Sequence, residues 1–189
     1  MPNLGTSNRT ALRYVPEVTF GTTPATPAFK DIRYTGESLN YSIKNVVSNE
    51  IRSDRNTTDL VRVSADAAGD VQFEMSFLSF DAFIEAALCN SFSAPVSNLS
   101  SIKNGTALKS FSLQKHFQDL DAPVFQTFNG CRVGGMTLDF KTGQILTGSF
   151  SFMGLGATTS TTQITGATTG ASPGVSENVM NAVTDLIEI

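Results

Sequence analysis

The stretch Gly69-Asp70-Val71-Gln72-Phe73-Glu74-Met75-Ser76-Phe77 decides the fold. Val71, Phe73, Met75 and Phe77 fall on one side of an extended chain; Asp70, Gln72, Glu74 and Ser76 fall on the other. Strict alternation marks a strand with one apolar and one solvated face. Two residues on, the period changes: Phe80, Phe83, Ile84, Ala87 and Leu88 recur at helical spacing. Ser79 is placed to cap a helix over about 79–89, Asp81 sits in its first turn, and Asn90 is a stop signal. The helix's apolar stripe is expected on the sheet face that carries Val71, Phe73 and Met75.

Upstream, residues 1–28 show little apolar periodicity, and the Pro24 and Pro27 connector reads as extended. They read either as a loose tail or as an N-terminal arm that orders on a neighbouring subunit. Ile32 and Tyr34, then Leu39, Tyr41 and Ile43, alternate as strands, with Gly36 as a bend. Residues 48–59 carry both charge signs over a length beyond the usual ~2–5 residues of a hairpin connection. Within them Glu50, Ile51, Arg52, Ser53, Asp54 and Arg55 are expected to hook a neighbouring subunit or ring. Leu60–Val63 resumes the sheet, and 65–69 reads as a turn into the deciding strand.

Downstream, 91–105 is a Ser/Asn-rich loop, 109–117 a strand, and 124–128 a short strand closed by the turn dipeptide Asn129-Gly130. Met136, Leu138 and Phe140, then Leu146, Gly148, Phe150 and Phe152, alternate on either side of Thr142-Gly143, the clearest antiparallel pair in the chain. Residues 157–174 read as a Thr/Gly/Ala/Ser linker, and 179–189 as a last edge strand. The domain expectation is thus an arm (1–28), a β-sandwich domain (29–156) and a linker with a C-terminal segment (157–189). One helix, about seven strands and no βαβ alternation indicate a mainly antiparallel β-sandwich or barrel with a flanking helix.

A chain of 189 residues fits one domain with a real core. The apolar content of 40% and charged content of 16% argue against disorder, and the net charge of −4 argues against a phosphate-gripping surface. Cys89 and Cys131 do not make a disulfide framework, and both are expected to be reduced and at least partly buried. The N-terminus does not read as a secretory signal, and no apolar run approaches the ~20 residues of a membrane span. The expectation is a protein made in a cytoplasm that stays soluble or self-assembles.

Catalytic chemistry finds little support. His116 is the single histidine, so a zinc site would need Cys89, Cys131 and a carboxylate at unrelated spacings. A Cys–His pair has no local signature. The glycine-rich run 130–135 does not lead into a helix, so a bend is the better reading than a phosphate cradle. Asp119 and Asp121 sit in a Pro-containing turn without a third acid. Neither enzyme activity nor a cofactor or metal is expected.

Several blocks resemble tail tube proteins (major tail proteins) of long-tailed, non-contractile bacteriophages. They are Tyr14–Pro27, Tyr34–Leu39, Glu50–Arg55, Gly69–Ser76 with its following helix, and Ile145–Gly154, in that order. The resemblance implies a tube fold assembled as stacked hexameric rings around a tape-measure protein. Tail terminator and distal tail proteins would sit at the ends, and DNA would pass through without specific binding. The implied places are the host cytoplasm before assembly and then the virion tail. Related chains are often longer, with a second half, so a true hexamer and a pseudo-hexameric trimer of a longer form stay open. Rival readings are a head-decoration or tail-completion protein and a ligand-binding β-barrel.

If the sheet lines a channel, Asp70, Gln72, Glu74, Thr137, Asp139, Thr147, Ser149 and Ser151 are assigned to the lumen. Basic residues there would capture phosphates, whereas hydroxyls and carboxylates keep the wall wet and repulsive to DNA. Lys141 is expected at the hairpin tip.

Overall fold

Phe73 lies between Phe80 and Phe150, with ring centroids 4.3 and 4.7 Å away, and the fold is built around this contact. In the computed structural model, residues 9–48, 60–97 and 99–181 are described. The strands are β1 (Thr10–Pro16), β2 (Ala28–Asp31), β3 (Gly36–Glu37), β4 (Asn40–Val47), β5 (Leu60–Glu74), β6 (Phe111–Phe117), β7 (Val124–Asp139), β8 (Thr147–Gly154), β9 (Gly156–Ser160) and β10 (Thr168–Gly170); α1 is Asp81–Ala87. The hydrogen-bonded path runs β10-β2-β1-β6-β7-β8-β5-β3, with β4 also on β5 and β9 also on β7. All pairings are antiparallel except β10 with β2.

β7 organises the two layers. Its first half pairs with β6 and β9; its second half pairs with β8. The strand therefore leaves one sheet and enters the other. The inward faces, Leu12, Tyr14, Phe111, Leu113 and Phe128 from one layer and Val71, Phe73, Phe150 and Phe152 from the other, form one core that α1 completes with Phe80, Phe83 and Ala86. Among the described residues the sheet is not closed. This is the mainly β fold with one helix that the alternation predicts.

Several local expectations change. The dipeptide Asn129-Gly130 does not end a strand. Gly130 adopts φ +66°, but β7 continues through it, bent rather than reversed. The stretch 65–69 is not a turn, since β5 is continuous from Leu60 to Glu74. A Cβ on Gly69 would stand 2.5 Å from the Leu39 backbone, so glycine permits this close crossing. Phe77 is exposed because the strand ends at Glu74, before the alternation does. Ser79 does not cap α1: its hydroxyl donates to the Pro173 carbonyl, and Phe80 occupies the N-cap position. Ala86, not Ala87, is the buried alanine of the last turn. The helix stops with Cys89 at φ +51°, with Cys89 N–H bonded to the Ala86 carbonyl and Asn90 N–H to that of Glu85. That pair of bonds is a Schellman end one residue before the expected stop at Asn90.

The expected arm and linker contain sheet strands. β1 pairs along its length with β6 and buries Leu12 and Tyr14; β9 and β10 lie within 157–174 or at its edge. The short period of β1 is blurred because the adjacent Tyr14 and Val15 are both buried, while Arg13 between Leu12 and Tyr14 pairs with Asp31 at 2.9 Å. Residues 182–189 of the expected edge strand lie outside the described residues. Val179 bridges Ser76, and Asn181 bridges Ile145.

Candidate tube wall and assembly surfaces

The eight residues assigned to the lumen fall on one sheet face. Along β5, Asp70, Gln72 and Glu74 point the same way because residues two apart share a face. Asp70 stands opposite Ser151, Gln72 opposite Ser149, and Glu74 opposite Thr147. On the far side of β8, Ser149 faces Thr137 and Thr147 faces Asp139. The other face of the same strands presents Val71, Phe73, Phe150 and Phe152 to the core.

Hydrogen bonds hold this polar face in place. Ser151 donates its hydroxyl to Asp70 Oδ1 at 2.6 Å, and the Asp70 amide donates to Ser38 Oγ at 2.9 Å. Lys141 pairs with Asp139 at 2.6 Å, with both side chains open to solvent. Next to the tip turn of Gly143, Lys141 thus neutralises one carboxylate of this face locally. Exposed pairs of this kind contribute little to stability.

The polar face extends further than the eight residues. In register, Asn40 faces Ala68 and Ser42 faces Asp66, while Met153 and Arg132 continue the row of Ala68. Alternation through 64–70 was the available signal, hidden by reading 65–69 as a turn. Lys44, opposite Ser64, and Arg132 are cations on this face, and the Arg132 guanidinium stacks 4.0 Å from the centroid of the Phe20 ring.

Both outer edges of this sheet are open among the described residues. The second half of β7 pairs with β8 alone, and β4 with β5 alone. The β4–β5 ribbon also exposes Ile43, Val46, Val47, Leu60, Val61 and Val63. The hook Glu50, Ile51, Arg52, Ser53, Asp54 and Arg55 lies outside the described residues.

One half-buried carboxylate escaped sequence reading. Glu17 Oε1 accepts hydrogen bonds from Ser112 Oγ and the Gly130 amide, and Oε2 accepts from Ser110 Oγ and the Gly21 amide, all at 2.8 Å. It pins the 17–22 loop to β6 and β7, leaving Val18 97% exposed at the loop tip. Glu17→Ala should orphan these donors at about 1–3 kcal/mol for each group that stays dry. Amide exchange at Gly21 and Gly130 should accelerate together; unchanged protection at both would contradict the pinning role.

The residues weighed for catalysis are dispersed. Cys131 is buried, and burial chiefly, with Glu17 nearby, pushes its thiol up to about 12. Cys89 lies at the end of α1. His116 stacks on Phe125 with centroids 4.3 Å apart; burial first, then Arg13, lowers its pKa. No three His, Cys, Asp or Glu side chains among the described residues gather as a metal site. No helix among the described residues is long and apolar enough to cross a membrane.

The family model for phage tail tube proteins matches residues 7–188. The chain belongs to the phage tail tube protein family. This is a family of structural tube proteins rather than of enzymes. No curated protein matches the sequence. Among solved structures, the fold is similar to a chain of the anti-feeding prophage baseplate, with TM-score 0.57 and 11% identity over 85% of this chain and 97% of that one. It is also similar to the SPP1 tail tube, with TM-score 0.53 and 11% identity over 86% and 82% of the two chains. A chain of the sheath/tube terminator of an extracellular contractile injection system aligns with TM-score 0.51 and 9% identity over 84% and 97%. At these identities the likeness is one of fold.

Proposed function

We propose that this tail tube protein self-assembles into hexameric or pseudo-hexameric rings, stacked into the conduit through which a phage ejects its DNA. The observation that carries the reading is the polar sheet with two open edges. Its strands alternate in direction from β7 through β8 and β5 to β4. Four alternating strands let β4 of one copy lie antiparallel to the second half of β7 of the next, with all copies oriented alike. Rotational repetition then closes a barrel and removes the exposed edges. Because one face is committed to the core, the other face, with Asp70, Gln72, Glu74, Thr137, Asp139, Thr147, Ser149 and Ser151, becomes the lumen.

The lumen would hold the tape-measure protein before DNA passes. Terminator and distal tail proteins would stop the tube at its ends, and the subunit would wait in the host cytoplasm before joining the virion tail. The mixed-charge hook at 50–55 would reach a neighbouring subunit or ring. The arm, tube domain and linker divide the work in this reading only outside β1, β9 and β10, which belong to the sheet itself.

Electron microscopy of purified protein tests the reading: long hollow tubes are expected, and isolated rings or monomers would overturn it. The wall has its own test. Asp70→Lys with Glu74→Lys, both on the solvated face, should leave tubes intact and impair DNA ejection, because lysines capture phosphates by counterion release. Unimpaired ejection would remove the electrostatic role of the wall. A reconstruction with Asp70, Glu74 and Asp139 on the outer surface would remove the assignment itself.

A further inference from the structure

Beside α1, which packs on the core face of the sheet and not on its polar face, lies a groove of about 640 Å³. Its apolar lining includes Met75, Phe77, Leu78, Ile84 and Phe92. Phe77 and Leu78 are exposed, and Leu78 holds φ +63°, a backbone conformation rare for a bulky side chain. The volume is that of small-molecule sites, which are mostly apolar with a few placed polar groups.

Three polar side chains of this groove are left without a hydrogen-bond or ion-pair partner among the described residues. Tyr14 is only 3% exposed, with its ring 4.7 Å from that of Phe83 and 5.9 Å from that of Phe111. Its hydroxyl makes no hydrogen bond, although buried polar groups are normally satisfied. Burial first, then Asp81, raises its pKa, so the hydroxyl and the Asp81 carboxylate share one space. Asp81 makes no ion pair or hydrogen bond through its side chain, and neither does Lys30, which lines the same groove. The remaining charge, Glu85, is already used: Oε1 accepts from the Phe92 amide at 2.8 Å and Oε2 from Lys109 at 2.6 Å.

We propose that the groove binds a small zwitterion with an apolar body, of the class of an aromatic α-amino acid. The ligand ammonium donates to the Asp81 carboxylate and the Tyr14 hydroxyl oxygen, and the ligand carboxylate accepts from the Lys30 ammonium. The apolar body lies on Met75, Ile84 and Phe92. Charge complementarity selects this class. A neutral ligand leaves Asp81 and Lys30 unanswered, a cation alone meets Lys30, and an anion alone meets Asp81; a desolvated charge is costly unless it is paired. The site is separate from the polar sheet face, so the inference goes beyond the assembly reading and does not rest on it.

The test is equilibrium dialysis of the full chain against radiolabelled L-phenylalanine, which reads binding by free subunits and assemblies alike. Saturable binding of one equivalent per chain is expected. Two unlabelled competitors dissect the charges. The ammonium-free analogue 3-phenylpropanoate should compete at least about tenfold more weakly than L-phenylalanine, since it sets a carboxylate against Asp81. Phenethylamine, without the carboxylate, should compete about threefold more weakly, because Lys30 is exposed and an exposed pair contributes little. Asp81→Asn should weaken L-phenylalanine binding about tenfold, the worth of a hydrogen bond to a charged group. Tyr14→Phe keeps the ring and should weaken it severalfold. Lys30→Gln should erase the difference between L-phenylalanine and phenethylamine. Thermal melts matching the parent establish that the variants fold. No saturable binding, equal competition by either analogue in the parent, or parent-like binding by Asp81→Asn would overturn the inference, and each of these leaves the tube reading standing.

Discussion

Phe83→Ala is expected to destabilise the subunit by about 3–5 kcal/mol, the range for removing a buried phenyl ring and leaving its cavity. Phe83 is 1% exposed. Its ring lies 4.7 Å from Tyr14 and 5.1 Å from Phe111 in one layer, and 5.5 Å from Phe150 and 5.4 Å from Phe152 in the other. It is therefore the side chain through which α1 holds both layers. Four aromatic neighbours from rigid strands cannot collapse into the space, so the cost should lie at the upper part of the range. For a domain of this size the melting midpoint should drop by roughly 6–20 °C. Phe77→Ala is the control: that ring is exposed, and a change within about ±0.5 kcal/mol is expected. Equal melting shifts for the two variants would contradict the assignment of Phe83 as the interlayer anchor.

The contrast between Phe77 and Phe83 shows what is legible in the sequence. Alternation gives the faces of β5, β7 and β8 correctly because burial on one side is imposed residue by residue. It brings eight polar residues to one face without knowledge of the pairing. Alternation does not say where a strand ends, and Phe77 follows the period yet falls beyond Glu74. Nor does local turn chemistry say what a positive φ is for. Asn129-Gly130 does take φ > 0 at the glycine, as a hairpin would require. The bend instead aims the Gly130 amide at Glu17, a residue 113 positions away in sequence. The strand at Thr10–Pro16 was illegible for a related reason. Tyr14 and Val15 are buried side by side, which breaks the alternation, and the partner of Arg13, Asp31, lies on a different strand. Long-range ion pairs leave no periodic trace.

The second large effect concerns another such pair, Lys115 with Glu37. Lys115 is 7% exposed although it lies in the middle of β6. Its ammonium donates to the Leu39 carbonyl and pairs with Glu37, both at 2.6 Å, and it stands 5.6 Å from the Phe128 ring centroid. Glu37 Oε2 also accepts from the Leu39 amide, so one cation closes the end of β3 onto β6. Lys115→Ala removes the cation and leaves a partly buried carboxylate with only that backbone donor. Breaking a buried pair from one side costs about 3–5 kcal/mol; with Glu37 19% exposed, the lower end is expected here. Lys115→Met with Glu37→Gln tests the cause, because it keeps the volume and removes both charges. The double variant should recover most of the loss, since a buried ion pair replaced by neutral side chains of similar volume is often nearly neutral. A double variant no more stable than Lys115→Ala would show that the Leu39 hydrogen bonds, rather than the charge on Glu37, carry the stability of this corner.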